Sequence, residues 1–173
     1  DESLFEVNKA LNLSVQRQQI SDVPLGCFLS GGIDSSLIAS LSANYLGIKL
    51  PCFHGRFDDY PGFDESNYAK AVVNYSDLDF NEIVPSPQDF IDTLPQIIRS
   101  LDEPLAGPGV FPQYMVSKLA SEKVKVVLGG QGGDELFCGY SRYLVAYLEQ
   151  ALKGSIQDTQ KDLNHVVTLE SII

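Results

Sequence analysis

With 173 residues and 44% hydrophobic content, the chain is long enough to bury one sizeable core. Its 12 basic against 23 acidic residues give a formal charge of −11, which excludes the basic footprint that a nucleic-acid backbone requires. No run of about 18 apolar residues offers a membrane span, and Asp1, Glu2, Glu6, Lys9 and Arg17 interrupt the N-terminal stretch where a signal peptide would be apolar.

The chain does not begin with methionine and has only Met115, so a piece or processed product of a longer chain is expected. Cys27, Cys52 and Cys138 are odd in number, widely spaced and without a C-x-x-C pair. They read as reduced, mostly buried thiols of a cytoplasmic protein. His54 and His165 are isolated, so no zinc cluster is expected from local spacing.

Ser3 followed by Leu4, Val7, Leu11 and Val15 predicts a capped amphipathic helix covering one side of a sheet. Asp22-Val23-Pro24 breaks it, and the apolar run Leu25 to Leu29 predicts a strand buried on both faces. A helix follows from Asp34 to Leu46, closed by Gly47 as a left-handed cap. Lys49 to Phe57 predicts the second strand, Asp58 to Gly62 a loop, and Asp64 to Asn74 a helix. Leu78 to Val84 predicts the third strand, and Pro87 opens a helix running to about Ser100. Pro104 to Pro112 reads as irregular, Gln113 to Glu122 as a helix and Val124 to Leu128 as the next buried strand. A helix from Leu136 to about Leu152 and a poorly patterned tail over 154–173 complete the chain. Strands alternating with helices predict an α/β fold, an open parallel sheet with helices on both faces and ligands beyond the strands' carboxyl ends.

The stretch Phe28-Leu29-Ser30-Gly31-Gly32-Ile33-Asp34-Ser35-Ser36 ends a strand with a glycine turn and opens a helix. Gly31 and Gly32 allow positive φ and close backbone approach, the hydroxyls of Ser30 and Ser35 are possible donors, and the helix start favours an anion. This is no Walker loop, since the chain contains no Gly-Lys pair. Asp34 beside phosphates calls for a divalent cation, and Mg²⁺ usually binds through one or two carboxylates plus phosphate oxygens. Taken alone, the same residues also fit an ordinary strand-to-helix turn with Asp34 at a helix start.

Ser30 to Ser35 resembles the signature of the PP-loop ATP pyrophosphatases, which cleave ATP between the α and β phosphates. The segment from Val124 through Gly129-Gly130-Gln131-Gly132-Gly133-Asp134-Glu135 to Tyr140 resembles the synthetase-domain signature of asparagine synthetases. Phe63-Asp64-Glu65-Ser66 and Leu101-Asp102-Glu103-Pro104 occur in that family's order, so the resemblance spans roughly Ile20 to Tyr143.

The resemblance implies a Rossmann-like fold of the adenine nucleotide alpha-hydrolase type, with residues 1–153 forming the ATP-binding part. It implies that Phe28, Leu29, Ser30, Gly31, Gly32, Asp34, Ser35, Gly55, Gly129 and Gly130 surround ATP, and that Asp34 and Asp134 hold Mg²⁺. The implied reaction adenylates the side-chain carboxylate of aspartate, and ammonia from an N-terminal glutaminase domain then displaces AMP. Asp102 lies near the family's acyl acceptor, where it either binds a substrate amino group or caps a turn. Gln131 stands where many relatives have a carboxylate, which puts a proton-accepting role in question. Cys138 replaces what is often glycine, and no residue after Arg142 matches the family's later basic contacts to pyrophosphate. A β-lactam synthetase or another amide-forming relative is the alternative enzyme, and a non-catalytic adenine-nucleotide module the alternative of a different class.

Overall fold

The computed structural model describes residues 2–57, 64–102 and 107–157, so the readings at 58–63, 103–106 and 158–173 lie outside the described residues. The chain divides into two compact units, Asp1–Gly130 and Gln131–Ile173. The first contains α1 (Glu2–Gln18), β1 (Leu25–Phe28), α2 (Ile33–Leu46), β2 (Pro51–Gly55), α3 (Ser66–Ser76), β3 (Asp79–Ile83), α4 (Pro87–Ser100), α5 (Val110–Ser121) and β4 (Val126–Leu128). The second contains α6 (Gly133–Phe137) and α7 (Ser141–Gln157).

All strand pairings are parallel, in the order β3-β2-β1-β4. Cys27 stands opposite both Cys52 on β2 and Leu128 on β4. Successive side chains on a strand point to opposite faces, and β1 and β2 divide accordingly. Cys27, Leu29 and Cys52 join Ala39, Ala43 and Ala69 in a core under α2 and α3. Phe53 turns the other way, to Ala120, Val124 and Val116, with Phe28 beside it under α5. The expected α/β class, a parallel sheet with helices around it, is the fold observed.

Local chemistry explains the helix ends. Gly47 closes α2 at φ 63, donating its N–H to the Ala43 carbonyl at 2.9 Å. Ser86 and Asp89 form a reciprocal capping box around Pro87 at the start of α4. That pairing, the Ser86 side chain first and its backbone N–H second, holds the Asp89 carboxyl below the usual carboxylate range.

Three elements differ from expectation. The helix α1 packs chiefly on α2 rather than on the sheet, and only its C-terminal Val15 is buried while Leu4 and Val7 stay exposed. The helix α5 begins at Val110, three residues early, because Pro112 falls in its first turn where no intrahelical N–H is needed. The single helix expected over Leu136–Leu152 is two helices, α6 and α7. Cys138 adopts a left-handed φ of 59 and Gly139 returns its N–H to the Asp134 carbonyl at 3.0 Å, which ends α6 in one turn. A left-handed position explains why glycine suits residue 138, and cysteine there carries some strain.

Burial pushes the Cys27 thiol up to about 11 and the Cys52 thiol up to about 12, both far above neutrality, whereas Cys138 is exposed. Only the thiolate reacts readily. Alkylation of the native protein at pH 8 is therefore expected to modify Cys138 first, with Cys27 and Cys52 reacting only after denaturant is added. Mass spectrometry of the digested protein reads the order directly.

Candidate functional site

In an open parallel sheet, ligands sit where strand order reverses. With the order β3-β2-β1-β4, that point falls between β1 and β4, and both glycine loops begin there. The Ser30–Gly32 loop follows β1, and Gly129-Gly130 follows β4.

The first loop is internally cross-braced. The Ser35 hydroxyl oxygen lies 3.1 Å from the Gly32 carbonyl and 2.9 Å from the Ser30 hydroxyl. It also accepts from the Ser30 backbone N–H at 3.2 Å, and the Gly32 N–H donates to the Ser30 hydroxyl at 3.1 Å. One assignment satisfies every contact: Ser35 donates to the Gly32 carbonyl, and Ser30 donates to Ser35. In that arrangement the two hydroxyls shape the loop from within, and the backbone N–H groups of Ile33, Asp34 and Ser35 open α2 without an intrahelical acceptor. These donors, with the positive end of the helix, are what the segment presents to an anion.

Gly31 is required on two counts. Its φ is 101, and a Cβ there would lie 2.8 Å from the Glu65 carbonyl oxygen and 3.1 Å from the Ala69 nitrogen. The turn therefore rests against the start of α3. Gly130 is required by contact alone, since a Cβ would lie 2.7 Å from the Ser35 nitrogen and 2.8 Å from Asp34 Cβ. The two motifs, about 100 residues apart in sequence, thus meet at the first turn of α2.

The remaining residues expected around a nucleotide fall into distinct settings. Leu29 is buried in the α2–α3 core, and its N–H is bound to the Phe53 carbonyl at 3.0 Å. Phe28 packs partly buried beside α5, and Gly55 ends β2 where a Cβ would lie 2.8 Å from Val116 Cγ2. Asp34 is half-buried, and its carboxylate makes no hydrogen bond or ion pair with a described residue. Asp102 is exposed at the end of a described segment with a left-handed φ of 58.

Gln131 and Asp134 belong to the second unit. Gln131 is exposed, and the Asp134 carboxylate folds over Gly139, occupying the space a Cβ would need there. In the same unit the Tyr140 hydroxyl donates to Glu135 at 2.9 Å, which raises the tyrosine's pKa. Arg142 stacks 3.9 Å from the Tyr140 ring centre and 5.4 Å from that of Tyr143.

No group of three or more metal-ligating side chains occurs among the described residues. Mg²⁺ commonly takes only one or two carboxylates and completes its shell with water and phosphate oxygens. An uncommitted Asp34 carboxylate beside the α2 N–H groups fits that demand, and an all-protein cage does not.

Sequence reasoning passed over His54 as an isolated histidine. It is buried in β2, with Nδ1 2.8 Å from the Leu29 carbonyl and Nε2 2.9 Å from the Ser66 hydroxyl. The available signal was a polar residue inside an otherwise apolar buried strand, Cys52-Phe53-His54-Gly55, where an imidazole must find partners.

Fold and loop geometry together define a Rossmann-like α/β protein with two glycine loops converging at the switch point of a parallel sheet. The chain matches the family described as asparagine synthase over residues 6–170. It is 41% identical over 143 residues to asparagine synthetase [glutamine-hydrolyzing] 1 of Bacillus subtilis, covering 83% of this chain and 22% of the relative. It is 37% identical over 165 residues to a putative asparagine synthetase [glutamine-hydrolyzing] of Mycobacterium bovis, covering 91% of this chain and 25% of that protein. Asparagine synthetase B [glutamine-hydrolyzing] of Escherichia coli is 30% identical over 148 residues, covering 78% of this chain and 27% of its own length. The chain belongs to the asparagine synthase family, and it spans about a quarter of the length of these curated relatives.

The contact at Gly130 gives a direct test of the site's architecture. Gly130→Ala is expected to destabilise the protein by about 1–3 kcal/mol, the usual range for forcing an atom into packed structure. Urea unfolding of the variant against wild type measures it, and an unchanged midpoint would contradict the close approach of β4 to α2.

Proposed function

We propose that this chain is the nucleotide-binding part of an asparagine synthetase of the glutamine-hydrolysing type. In the reaction, an oxygen of the aspartate side-chain carboxylate attacks the α phosphorus of ATP, and the bond to pyrophosphate breaks. Ammonia then attacks the acyl carbon, loses a proton and displaces AMP, leaving asparagine. The observation that carries this reading is the seating of Gly130 on Asp34 and Ser35, which joins the family's two signature loops at one point. The names of the relatives, each including the words glutamine-hydrolyzing, support glutamine as the nitrogen source; an N-terminal glutaminase domain delivering ammonia completes the proposal.

Each group has a role in this reading. The N–H groups of Ile33, Asp34 and Ser35 receive the phosphate oxygens, and Ser30 and Ser35 keep the loop in the shape that aims them. Gly129 and Gly130, with Gly55 and the backbone of Phe28 and Leu29, border the adenosine. Asp34 is the carboxylate of the first unit that would hold Mg²⁺, and that Asp134 joins it is what the family resemblance implies. When bound, the cation neutralises phosphate charge as pyrophosphate departs. Asp102 is proposed to meet the amino group of the acceptor. Gln131 can donate and accept hydrogen bonds but cannot take a proton at neutral pH, so it orients groups rather than acting as a base. The protein's contribution is positioning and charge stabilisation, as in phosphoryl transfer generally.

Two outcomes test the proposal. Full-length protein should catalyse aspartate-dependent exchange of labelled pyrophosphate into ATP. Exchange driven by another carboxylic acid, with none from aspartate, would transfer the chain to a different amide-forming reaction such as β-lactam synthesis, and no exchange with any acid would favour a nucleotide-binding module.

The second outcome concerns the cation. Asp34→Asn should weaken MgATP by about tenfold or more, the scale of one lost contact to a charged group, while AMP affinity stays within twofold. Calorimetry with and without EDTA separates the two nucleotides; equal affinities for ATP in both conditions would remove Asp34 from any metal role.

A further inference from the structure

We propose that His54 is a positioning residue for the phosphate loop, a rigid spacer that locks the end of β1 to the start of α3 and so sets the shape in which Ser30-Gly31-Gly32 is presented. The proposal deepens the nucleotide-binding reading and rests on it for its consequence, although the spacer itself is a matter of structure alone.

The Leu29 carbonyl is the last main-chain group before the loop, and the His54 Nδ1–H donates to it at 2.8 Å. On the other edge of the ring, Nε2 meets the Ser66 hydroxyl at 2.9 Å. Ser66 is the first residue of α3 and only 2% exposed. Its backbone N–H is itself held by Asp64 Oδ1 at 2.9 Å, an Asx turn two residues long. Directly before it, the Glu65 carbonyl oxygen lies 2.8 Å from where a Cβ of Gly31 would sit. The phosphate loop is therefore enclosed: Leu29 is held from one side by His54, and Gly31 leans on the helix start that His54 holds from the other.

Proton placement reinforces the assignment. The Leu29 carbonyl only accepts, so Nδ1 must carry the hydrogen. With a neutral ring, Nε2 accepts from the Ser66 hydroxyl. With a charged ring, Nε2 donates to the Ser66 hydroxyl oxygen instead. The bond to Leu29 survives either way. Phe80 stacks on the imidazole with ring centres 5.7 Å apart and fixes its plane. His54 touches no group assigned above to phosphate or cation, so its influence passes through Leu29 and α3.

The test uses full-length protein with three variants: Ser66→Ala, which removes the hydroxyl and leaves the imidazole; His54→Asn, which keeps a donor for Leu29 but cannot reach Ser66; and the double variant. Native thermal unfolding transitions confirm that each is folded. MgATP affinity is expected to fall about three- to tenfold in each single variant, the scale of one hydrogen bond, and AMP affinity to fall clearly less, because AMP shares the adenosine that Leu29 borders but lacks the outer phosphates that the loop receives. The double variant should be no weaker than the worse single one, since both act through the same link. Hydrogen exchange should accelerate in the peptide spanning Phe28–Ile33 and stay unchanged in α1. Equal losses for MgATP and AMP, unchanged MgATP affinity, or additive losses in the double variant would overturn the proposal. Should wild-type protein bind no MgATP, the nucleotide reading fails by itself; the spacer then stands if Ser66→Ala accelerates exchange in the loop peptide and falls if it does not.

Discussion

The structure of the first unit depends on how closely one backbone can approach another at the ends of β1 and β4. Gly130 lies where any side chain would strike the nitrogen of Ser35, and Gly31 where any side chain would strike α3. Steric contact of this kind has no partial solution: an added atom moves a strand or a helix start. It accords with the sheet order, in which β4 lies beside β1 and its following residues reach the first turn of α2. The switch point of the sheet and the two glycine loops thus meet in one place.

A second constraint is electrostatic. A chain with net charge −11 offers little general attraction to a polyphosphate, and its basic side chains are committed elsewhere in part. Lys49 pairs with Asp77, Lys123 with Asp79, and both Arg56 and Lys70 with Glu82 on the edge strand β3. The exposed pairs among these, Lys49–Asp77 and Lys123–Asp79, stabilise little. What remains at the loop is a set of oriented N–H groups and one carboxylate. Oriented donors need no rearrangement when an anion arrives, provided the loop already has its shape, and the Ser30–Ser35 cross-brace supplies that shape in advance.

Much of this was legible in the sequence, for identifiable reasons. The strands are short apolar runs bounded by Pro, Gly and Asp, and Gly47 and Pro87 mark helix ends by backbone chemistry that needs no tertiary partner. The glycine loops could be located for the same reason. Tertiary effects were not legible. The apolar stripe of α1 correctly predicts a helix but not that α2 would cover only its C-terminal end. Periodicity over Leu136–Leu152 cannot reveal the left-handed turn at Cys138, because the pattern on either side remains helical. His54 was missed because its partners, Leu29 and Ser66, come from other elements, at separations of 25 and 12 residues. Its burial among apolar residues was visible in the sequence; the identity of its acceptor was not.

The division between backbone and side-chain contributions also explains which departures from the family matter. Loss of a glycine at residue 31 or 130 would be a steric error, whereas Gln131 is exposed and any side chain fits there. An amide retains the reach and hydrogen-bonding capacity of a carboxylate while losing its ability to hold a proton. Backbone and side-chain contributions are therefore separable in this chain: the N–H donors at the start of α2 are backbone groups, held in shape by Ser30, Ser35 and the close approach of Gly130. The shape of those donors is enforced by packing that leaves no room for a side chain at residues 31 and 130, whereas the chemistry at residue 131 rests on a single exposed side chain.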